Sequence, residues 1–359
     1  MSLDLRHDVP LAPLTTLGLG GPATHLVDAA DAAGLREALD WSRSRDLPVL
    51  LLGGGSNLVL PDAGYRGLVL RTRVPGLAFE ARAGRVVVRA GAGVPWDEVV
   101  RASVERGLAG IECLSGIPGW CGAAPVQNIG AYGQELAETL VAVTAYDRDG
   151  GEVVRLPSAA CGFGYRNSRF KSADRDRFVI LSLSLALAPD ARPRPRYPEL
   201  ADAVAREADL AALSPGEALR LVRERVLALR RAKSMVIDPD DPDTRSAGSF
   251  FLNPVLGARA FDGLVERLAD HGISAPVPSY PAPGGVKVPA AWLVERAGFH
   301  RGQRHGGVGI SSAHALALVN RHGTTAELLE LAVSIQDAVE RISGLRLEIE
   351  PTIVESPPA

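Results

Sequence analysis

The chain contains 359 residues, 46% of them apolar and 23% charged, with a formal net charge of -3 at pH 7. This length predicts two or three compact domains, because single hydrophobic cores stop growing at about 250 to 300 residues. The balanced charge gives no basic surface for nucleic acid, and no apolar run of about 18 residues predicts a membrane span. Cys113, Cys121 and Cys161 lack the paired spacing of disulfides or metal ligands, which indicates a reducing compartment and a cytoplasmic protein.

The N-terminal segment alternates between strand and helix patterns. ATHLVDA (23–29) is strand-like, DAAGLREALDWSRS (31–44) is amphipathic, and LPVLLL (47–52) is an apolar run stopped by three glycines. This order predicts a βαβ unit. The preceding GLGGPA (18–23) matches G-x-G-x-x-A, but it follows no clear strand and has Pro22 where a helix should form, so the dinucleotide-fold interpretation is weak.

A second unit begins with RVVVRAGAG (85–93) and continues through a helix near WDEVVRASVERG (96–107). It ends with TLVAVTAYDRDGGEVVRL (139–156) and FVILSLSLALA (178–188). In the last stretch leucines alternate with serine and alanine, which is typical of a strand with one buried face. We expect an antiparallel sheet here.

The next segments combine a proline-rich arm with two capped helices. ARPRPRYPEL (191–200) favours an extended arm or linker. Ser214 with Glu217, and Thr324 with Glu327, form capping boxes that predict helix starts. The acidic stretch IDPDDPDTRSAG (237–248) fails the EF-hand pattern and predicts a solvated loop, and LRLEIEP (345–351) alternates as a strand.

Two glycine-rich segments predict a site for a large ligand. GGGSN (53–57) directly follows a buried strand, and LSGIPGWCGAAPVQNIGAYG (114–133) is nearly uncharged. Glycines let a backbone approach a ligand closely, and no P-loop pattern is present. Two such segments at one site favour a dinucleotide, although either alone could be a tight structural loop.

Seven motifs occur in the order found in the UDP-N-acetylenolpyruvoylglucosamine reductase family, which the chain resembles from about Pro10 to Ile353. These motifs are GGGSN (53–57), SGIPG (115–119), QNIGAYG (127–133), YRNSRFK (165–171), AGSFFLNP (247–254), KVPAAWLVERAGF (287–299) and LEIEP (347–351). The resemblance implies an α+β fold with three domains. Two of them form an FAD-binding unit of the vanillyl-alcohol-oxidase/PCMH type, at 1–73 and 74–235, and 236–344 binds the substrate. The C-terminal strand, 345–359, would complete the first domain.

The same resemblance implies a cytoplasmic oxidoreductase of peptidoglycan precursor synthesis. FAD would relay hydride from NADPH to the enolpyruvyl group of UDP-N-acetylglucosamine enolpyruvate, which gives UDP-N-acetylmuramate. The partners are then the UDP-sugar and NADPH, with no metal, nucleic acid, membrane or obligate protein partner. Ser249 would donate the proton, while Arg166 and Glu350 would stabilise the enolate, for which Glu350 needs a raised pKa.

The resemblance also implies binding residues. The FAD-binding residues are Gly53, Gly54, Gly55, Ser56, Asn57, Ser115, Gly116, Ile117, Pro118, Gly119, Gln127, Asn128, Gly130, Ala131 and Tyr132. The substrate-binding residues are Tyr197, Lys233, Asn253 and Arg304, of which Tyr197 places the chain in the longer subclass with a tyrosine in its arm. The chain departs from common family residues at Thr15, Trp120, Cys121 and Leu252, and 238–246 is an insertion.

Two other functions remain open at this stage. A different flavin oxidase or dehydrogenase of the same FAD-binding superfamily would keep the glycine-rich segments, and Ser249 would then have no part in protonation. A non-catalytic nucleotide-sugar binding protein would have no need of Arg166, Ser249 and Glu350 together.

Overall fold

The computed structural model describes residues 3–357, and its elements follow in three groups along the chain. The first group contains β1 (Arg6–Pro10), β2 (Pro22–Ala29), α1 (Ala32–Arg43), β3 (Val49–Leu51), β4 (Leu58–Val59) and β5 (Tyr65–Thr72). The second contains β6 (Leu77–Arg82), β7 (Arg85–Gly91), α2 (Trp96–Glu105), β8 (Leu108–Ala109), β9 (Gly130–Ala131), β10 (Gln134–Glu135), β11 (Leu140–Asp147), β12 (Glu152–Pro157), β13 (Phe178–Pro189), α3 (Pro198–Ala205) and α4 (Pro215–Arg231). The third contains β14 (Ser246–Ser249), β15 (Val255–Leu256), α5 (Ala258–Asp270), β16 (Tyr280–Ala282), β17 (Gly285–Lys287), α6 (Ala290–Arg296), β18 (Arg304–His305), β19 (Val308–Ile310), β20 (Ala317–Asn320), α7 (Thr325–Ser343) and β21 (Thr352–Ile353).

The first sheet has the strand order β1-β2-β5-β3. Strands β2, β5 and β3 are parallel, and β1 is antiparallel to β2. Helix α1 begins after Asp31, whose carboxylate accepts a hydrogen bond from Gly34 N at 2.8 Å, and it buries Leu35 and Leu39 against this sheet. The predicted βαβ unit is therefore confirmed.

The second sheet is antiparallel, with the order β12-β11-β13-β7-β6. Along β13, Leu183, Leu185 and Leu187 are buried while Ser184 and Ala186 between them are partly exposed, as the alternation predicted. Val179 from this sheet packs in the same cluster as α1. The two sheets therefore share apolar contacts.

The third group forms the sheet β14-β20-β19-β18, on which α7 packs. Both predicted capping boxes are present, at the starts of α4 and α7, and α7 ends at Gly344 with φ +71°. Strand β21 returns to the first group and pairs in parallel with β4. The fold is α+β, as predicted. The domain boundaries stay a prediction: 1–73 with 345–359, 74–235 and 236–344. Of these residues, 1–2 and 358–359 lie outside the part of the chain that the structure describes.

Two sequence predictions are wrong. Residues 345–350 alternate in burial but are not a regular strand, because Leu347 O accepts from the Gln336 side chain at 2.7 Å and only Ile349 bridges to Phe251. The loop 237–248 is not uniformly solvated, because Asp243 and Thr244 are buried. Asp243 can be buried because hydroxyl, amide and guanidinium donors surround its carboxylate.

Within residues 3–357, no helix combines the length and the apolar character that crossing a membrane requires. The proline-rich residues 191–196 are irregular, as expected of an arm, and Tyr197 caps the start of α3.

Candidate active site

A cavity of about 290 Å³ lies where the three groups of elements meet. Arg166, Ser249 and Glu350, the three predicted catalytic residues, all line it. Most of the predicted FAD-binding residues line it as well: Gly53, Gly54, Gly55, Ser56, Asn57, Ile117, Pro118, Gly119, Gln127 and Gly130. Residues distant in sequence thus converge on one cavity.

The two glycine-rich segments pack directly against each other along this cavity. A Cβ atom on Gly54 would lie 2.7 Å from Gly119 Cα, and one on Gly119 would lie 2.6 Å from Ser56 Oγ. Asn57 Nδ2 donates to Gln127 Oε1 at 2.6 Å, which ties the segments together. Glycine is therefore needed at these positions for the backbones to approach each other, in addition to leaving room for a ligand.

Arg166 is held at the end of the second segment by two contacts. Its Nη2 donates to Gly130 O at 2.7 Å, and its Nε lies 3.2 Å from Glu350 Oε1. Its backbone has φ +50°, which is unusual for a residue with a side chain and lies in a tight turn between Gly164 and Asn167. The turn directs the guanidinium into the cavity.

Glu350 reaches the cavity because residues 348–350 pair with residues 250–252, the segment that follows Ser249. Leu252 N donates to Glu348 O and Glu350 N donates to Phe250 O, both at 2.9 Å. Burial raises the pKa of Glu350 above its ordinary value, while the Arg166 and Lys171 cations oppose that rise. The direction matches the expectation for a carboxyl group that helps to stabilise an enolate.

Ser249 ends β14, one residue after a bend at Gly248, where φ is +75°. It pairs with Ala317 of β20, and the following Phe250 and Phe251 are fully buried in the C-terminal core. The two phenylalanines therefore anchor the backbone that follows the serine, and Ser249 itself lines the cavity.

Two cationic cavity residues were missed as site residues. Arg230, at the end of α4, is partly exposed; its Nη2 donates to Met235 O at 2.9 Å, and its buried Nε has no hydrogen-bond partner. Burial lowers the pKa of Arg230. Lys171 donates to Arg166 O at 3.3 Å. With Arg166, these residues give the cavity more positive than negative charge, which suits anionic ligands. In the sequence, Arg230 could have been suspected from the two arginines at the end of α4, and Lys171 from its place at the end of the YRNSRFK motif.

Five predicted FAD-binding residues do not line the cavity: Ser115, Gly116, Asn128, Ala131 and Tyr132. Some of them brace the segments instead. Ser115 Oγ donates to Glu112 O, and Gly116 N donates to Asp97 at 2.6 Å. Asp97 also forms a two-pronged ion pair with Arg223 of α4, both bonds at 2.7 Å. This anchors the SGIPG loop to two helices.

The predicted substrate residues also lie outside the cavity lining. Tyr197 packs edge-on to Tyr132, with the ring centres 5.6 Å apart, and Lys233 pairs with Glu199 at 2.6 Å. Asn253 Oδ1 accepts from Ala290 N at 2.8 Å and so caps α6, and Arg304 is exposed on β18. Their roles in substrate binding stay predictions.

In the part of the chain that the structure describes, no three histidine, cysteine, aspartate or glutamate side chains are arranged to hold a metal ion. The glycines of GLGGPA serve packing, since a Cβ on Gly21 would lie 2.2 Å from Asp62 O.

Comparison with known proteins gives consistent matches. The model of the UDP-N-acetylenolpyruvoylglucosamine reductase C-terminal domain matches residues 240–354, and an FAD binding domain matches 23–157. UDP-N-acetylenolpyruvoylglucosamine reductase of Thermobifida fusca is 47% identical over 99% of both chains. The enzyme of that name from Mycobacterium marinum is 45% identical, over 98% of this chain and 95% of its own. The crystal structure of the Thermus caldophilus reductase has a TM-score of 0.66 at 24% identity, covering 99% of this chain and 100% of that one, and shows the shared fold.

Proposed function

The chain belongs to the UDP-N-acetylenolpyruvoylglucosamine reductase family, and we propose that Ser249, Arg166 and Glu350 carry out its reaction. The protein is an FAD-dependent oxidoreductase of peptidoglycan precursor synthesis, with NADPH as the reductant and a UDP-sugar as the substrate. The observation that carries the residue assignment is their convergence with both glycine-rich segments on one cavity.

The cavity residues fit FAD. Backbone groups of the packed segments 53–57 and 117–119 are accessible without side chains at their glycines. The buried, unpartnered Nε of Arg230 and the surplus of positive charge suit the phosphates or the electron-rich ring of a flavin. Bound there by these residues, FAD would supply the hydride-transfer chemistry that links NADPH to the vinyl CH2 carbon of the substrate.

The residues of the chain then act on the charge and the proton. Negative charge builds on the carbon next to the substrate carboxylate, where the Arg166 guanidinium supplies a preorganised cation. Burial raises the pKa of Glu350, which is the direction that a carboxyl group needs in order to donate a hydrogen bond to the enolate oxygen. Ser249 Oγ gives its proton to the carbon, which completes the lactyl ether; a hydroxyl is acidic enough for so basic a carbanion.

We also propose a cytoplasmic location and catalysis without an obligate protein partner. Cys113, Cys121 and Cys161 are buried free thiols, and burial raises the pKa of each, so none is poised for disulfide exchange. The proposed catalytic residues come from a single chain, which supports a self-contained site.

Ser249→Ala tests the assignment through the two half-reactions, followed anaerobically by flavin absorbance. We expect reduction by NADPH to persist and reoxidation by the enolpyruvyl sugar to slow by about 10²- to 10⁴-fold, the usual contribution of a positioned proton donor. Ser334→Ala, exposed on α7 and outside the cavity lining, is a control for the loss of a serine hydroxyl. Equal slowing of both half-reactions in Ser249→Ala would mean that the serine is structural.

A further inference from the structure

The insertion 238–246 forms part of the cavity wall. Thr244 and Ser246 line the cavity, whereas Asp238 and Asp240 at the start of the insertion are exposed. The Thr244 hydroxyl lies 2.8 Å from the carbonyl oxygens of both Asp238 and Asp241. The insertion is therefore an internally bonded segment with one solvent face and one cavity face.

Asp243 ties this segment to two loops of the C-terminal sheet. Its Oδ2 accepts from Ser312 N at 2.6 Å, from Ser312 Oγ at 2.7 Å and from Ser311 Oγ at 3.1 Å, and its Oδ1 accepts from Arg321. The carboxylate is 4% exposed, and such burial requires donors of this kind. Because Ser311 follows β19 and Arg321 follows β20, one side chain holds both loops.

Strand β20 is also the partner of β14, which carries Ser249. The pairs Ser246–Val319 and Ser249–Ala317 are separated by an irregularity. The bend at Gly248 falls within this irregularity. No atom lies within 4 Å of a Cβ added to Gly248, so local packing does not fix the bend. The position of Ser249 therefore depends on how firmly the chain is held on both sides of the bend.

Upstream of the bend, the chain is held by the Ser246–Val319 pair, by the buried side chain of Ala247 and by hydrogen bonds that follow Asp243 in the chain. Asn320 N donates to Arg245 O at 2.9 Å, and Thr16 Oγ1 donates to Ser246 O at 2.6 Å. The Asp243–Arg321 ion pair is close to the first of these hydrogen bonds, because Asp243 lies two residues before Arg245 and Arg321 directly follows Asn320.

We propose that Asp243 is a positioning residue for proton transfer, which holds the insertion against the sheet so that Ser249 stays directed at the substrate. The inference rests on the proposed role of Ser249 and adds the residue that keeps it in place. Asp243 does not line the cavity, and Arg321 balances its charge. It therefore acts through geometry, and misplacement of a reacting group by about 1 Å can cost about 10²-fold in rate.

Asp243→Asn in the FAD-loaded enzyme tests this role. The amide keeps the shape but removes the charge that Arg321 and the Ser312 donors require. We expect reduction by NADPH to stay within about twofold, and reoxidation by the enolpyruvyl sugar to slow about tenfold. The solvent deuterium isotope effect on reoxidation should increase, because proton delivery becomes more rate-limiting.

Asp240→Asn, exposed in the same insertion, is the matched control and should leave both half-reactions unchanged. If Asp243→Asn does not fold, Ser312→Ala removes one donor and should show a smaller effect of the same kind. Unchanged reoxidation, equal slowing of both half-reactions, or slower reoxidation without a larger isotope effect would each overturn the inference. Normal reoxidation in Ser249→Ala would instead overturn the proposed role of the serine itself.

Discussion

Arg166→Lys separates the positive charge of Arg166 from its planar shape. In the structure one nitrogen donates to Gly130 O at 2.7 Å while another lies 3.2 Å from Glu350 Oε1. A lysine ammonium keeps the charge but is a single point on a flexible stem, so it cannot hold both contacts and face the substrate. A hydrogen bond to a charged group contributes about 1.5 to 3 kcal/mol, and each 1.36 kcal/mol is a factor of ten in rate. The variant should therefore react about 10- to 100-fold more slowly with the enolpyruvyl sugar.

The assay is anaerobic stopped-flow absorbance of the flavin, with NADPH reduction and sugar-dependent reoxidation recorded separately. Arg169→Lys is the matched control, because Arg169 lies in the same YRNSRFK motif but pairs with Asp174 at 2.6 Å outside the cavity lining. It should change neither rate by more than about twofold, as is usual away from the reacting groups. Wild-type reoxidation in Arg166→Lys would refute the need for two simultaneous contacts, and equal slowing of both half-reactions would assign Arg166 to the cofactor.

Two further predictions concern cofactor binding. Asp97→Asn should weaken FAD binding to the apoprotein about tenfold, because Asp97 fixes Gly116 and pairs with Arg223. Burial favours a higher pKa for Asp97, but hydrogen bonds from Arg223 and Gly116 leave the pKa below its ordinary value. Asp97 should therefore stabilise the protein against urea above about pH 4, and this stabilisation should disappear as the pH falls through the lowered pKa. A stability difference between wild type and Asp97→Asn that does not change with pH would contradict this. Trp120→Leu removes a cavity-lining indole that packs against two guanidiniums, at 4.9 and 5.2 Å from its ring centre, and should weaken FAD binding severalfold. FAD should then quench the tryptophan fluorescence of Trp120→Leu less than that of the wild type. Trp41→Leu, outside the cavity lining, should retain wild-type affinity for FAD. Equal affinities in the wild type, Trp120→Leu and Trp41→Leu would refute a contact between Trp120 and FAD.

Features with a local cause were predictable from the sequence. The capping boxes at Ser214 and Thr324 were correct because a cap depends on residues three apart. The parallel βαβ unit was correct because its apolar period changes at clear boundaries. That Arg166, Ser249 and Glu350 share one site was expected from the order of the motifs, because their spacing in the sequence alone places no two of them together.

Features that depend on distant partners were not predictable. The acidic loop looks solvated until Arg321, 78 residues away, is found beside Asp243. The stretch before Glu350 has the alternation of a strand, but a glutamine side chain from α7 takes a backbone acceptor that a neighbouring strand would need. Arg230 looks like an ordinary helix-end cation, and only the packing around it shows that it lines the cavity with a buried Nε.

The pairing of β21 with β4 has a consequence for how the protein matures. Thr352 N donates to Asn57 O and Val354 N donates to Val59 O, so the first glycine-rich segment is completed by nearly the last residues of the chain. During synthesis the N-terminal part leaves the ribosome first, whereas Glu350 lies 293 residues after Asn57 in the chain and β21 follows Glu350. The first glycine-rich segment therefore gains this pairing, and the cavity gains Glu350, only after the elements between them have been synthesised.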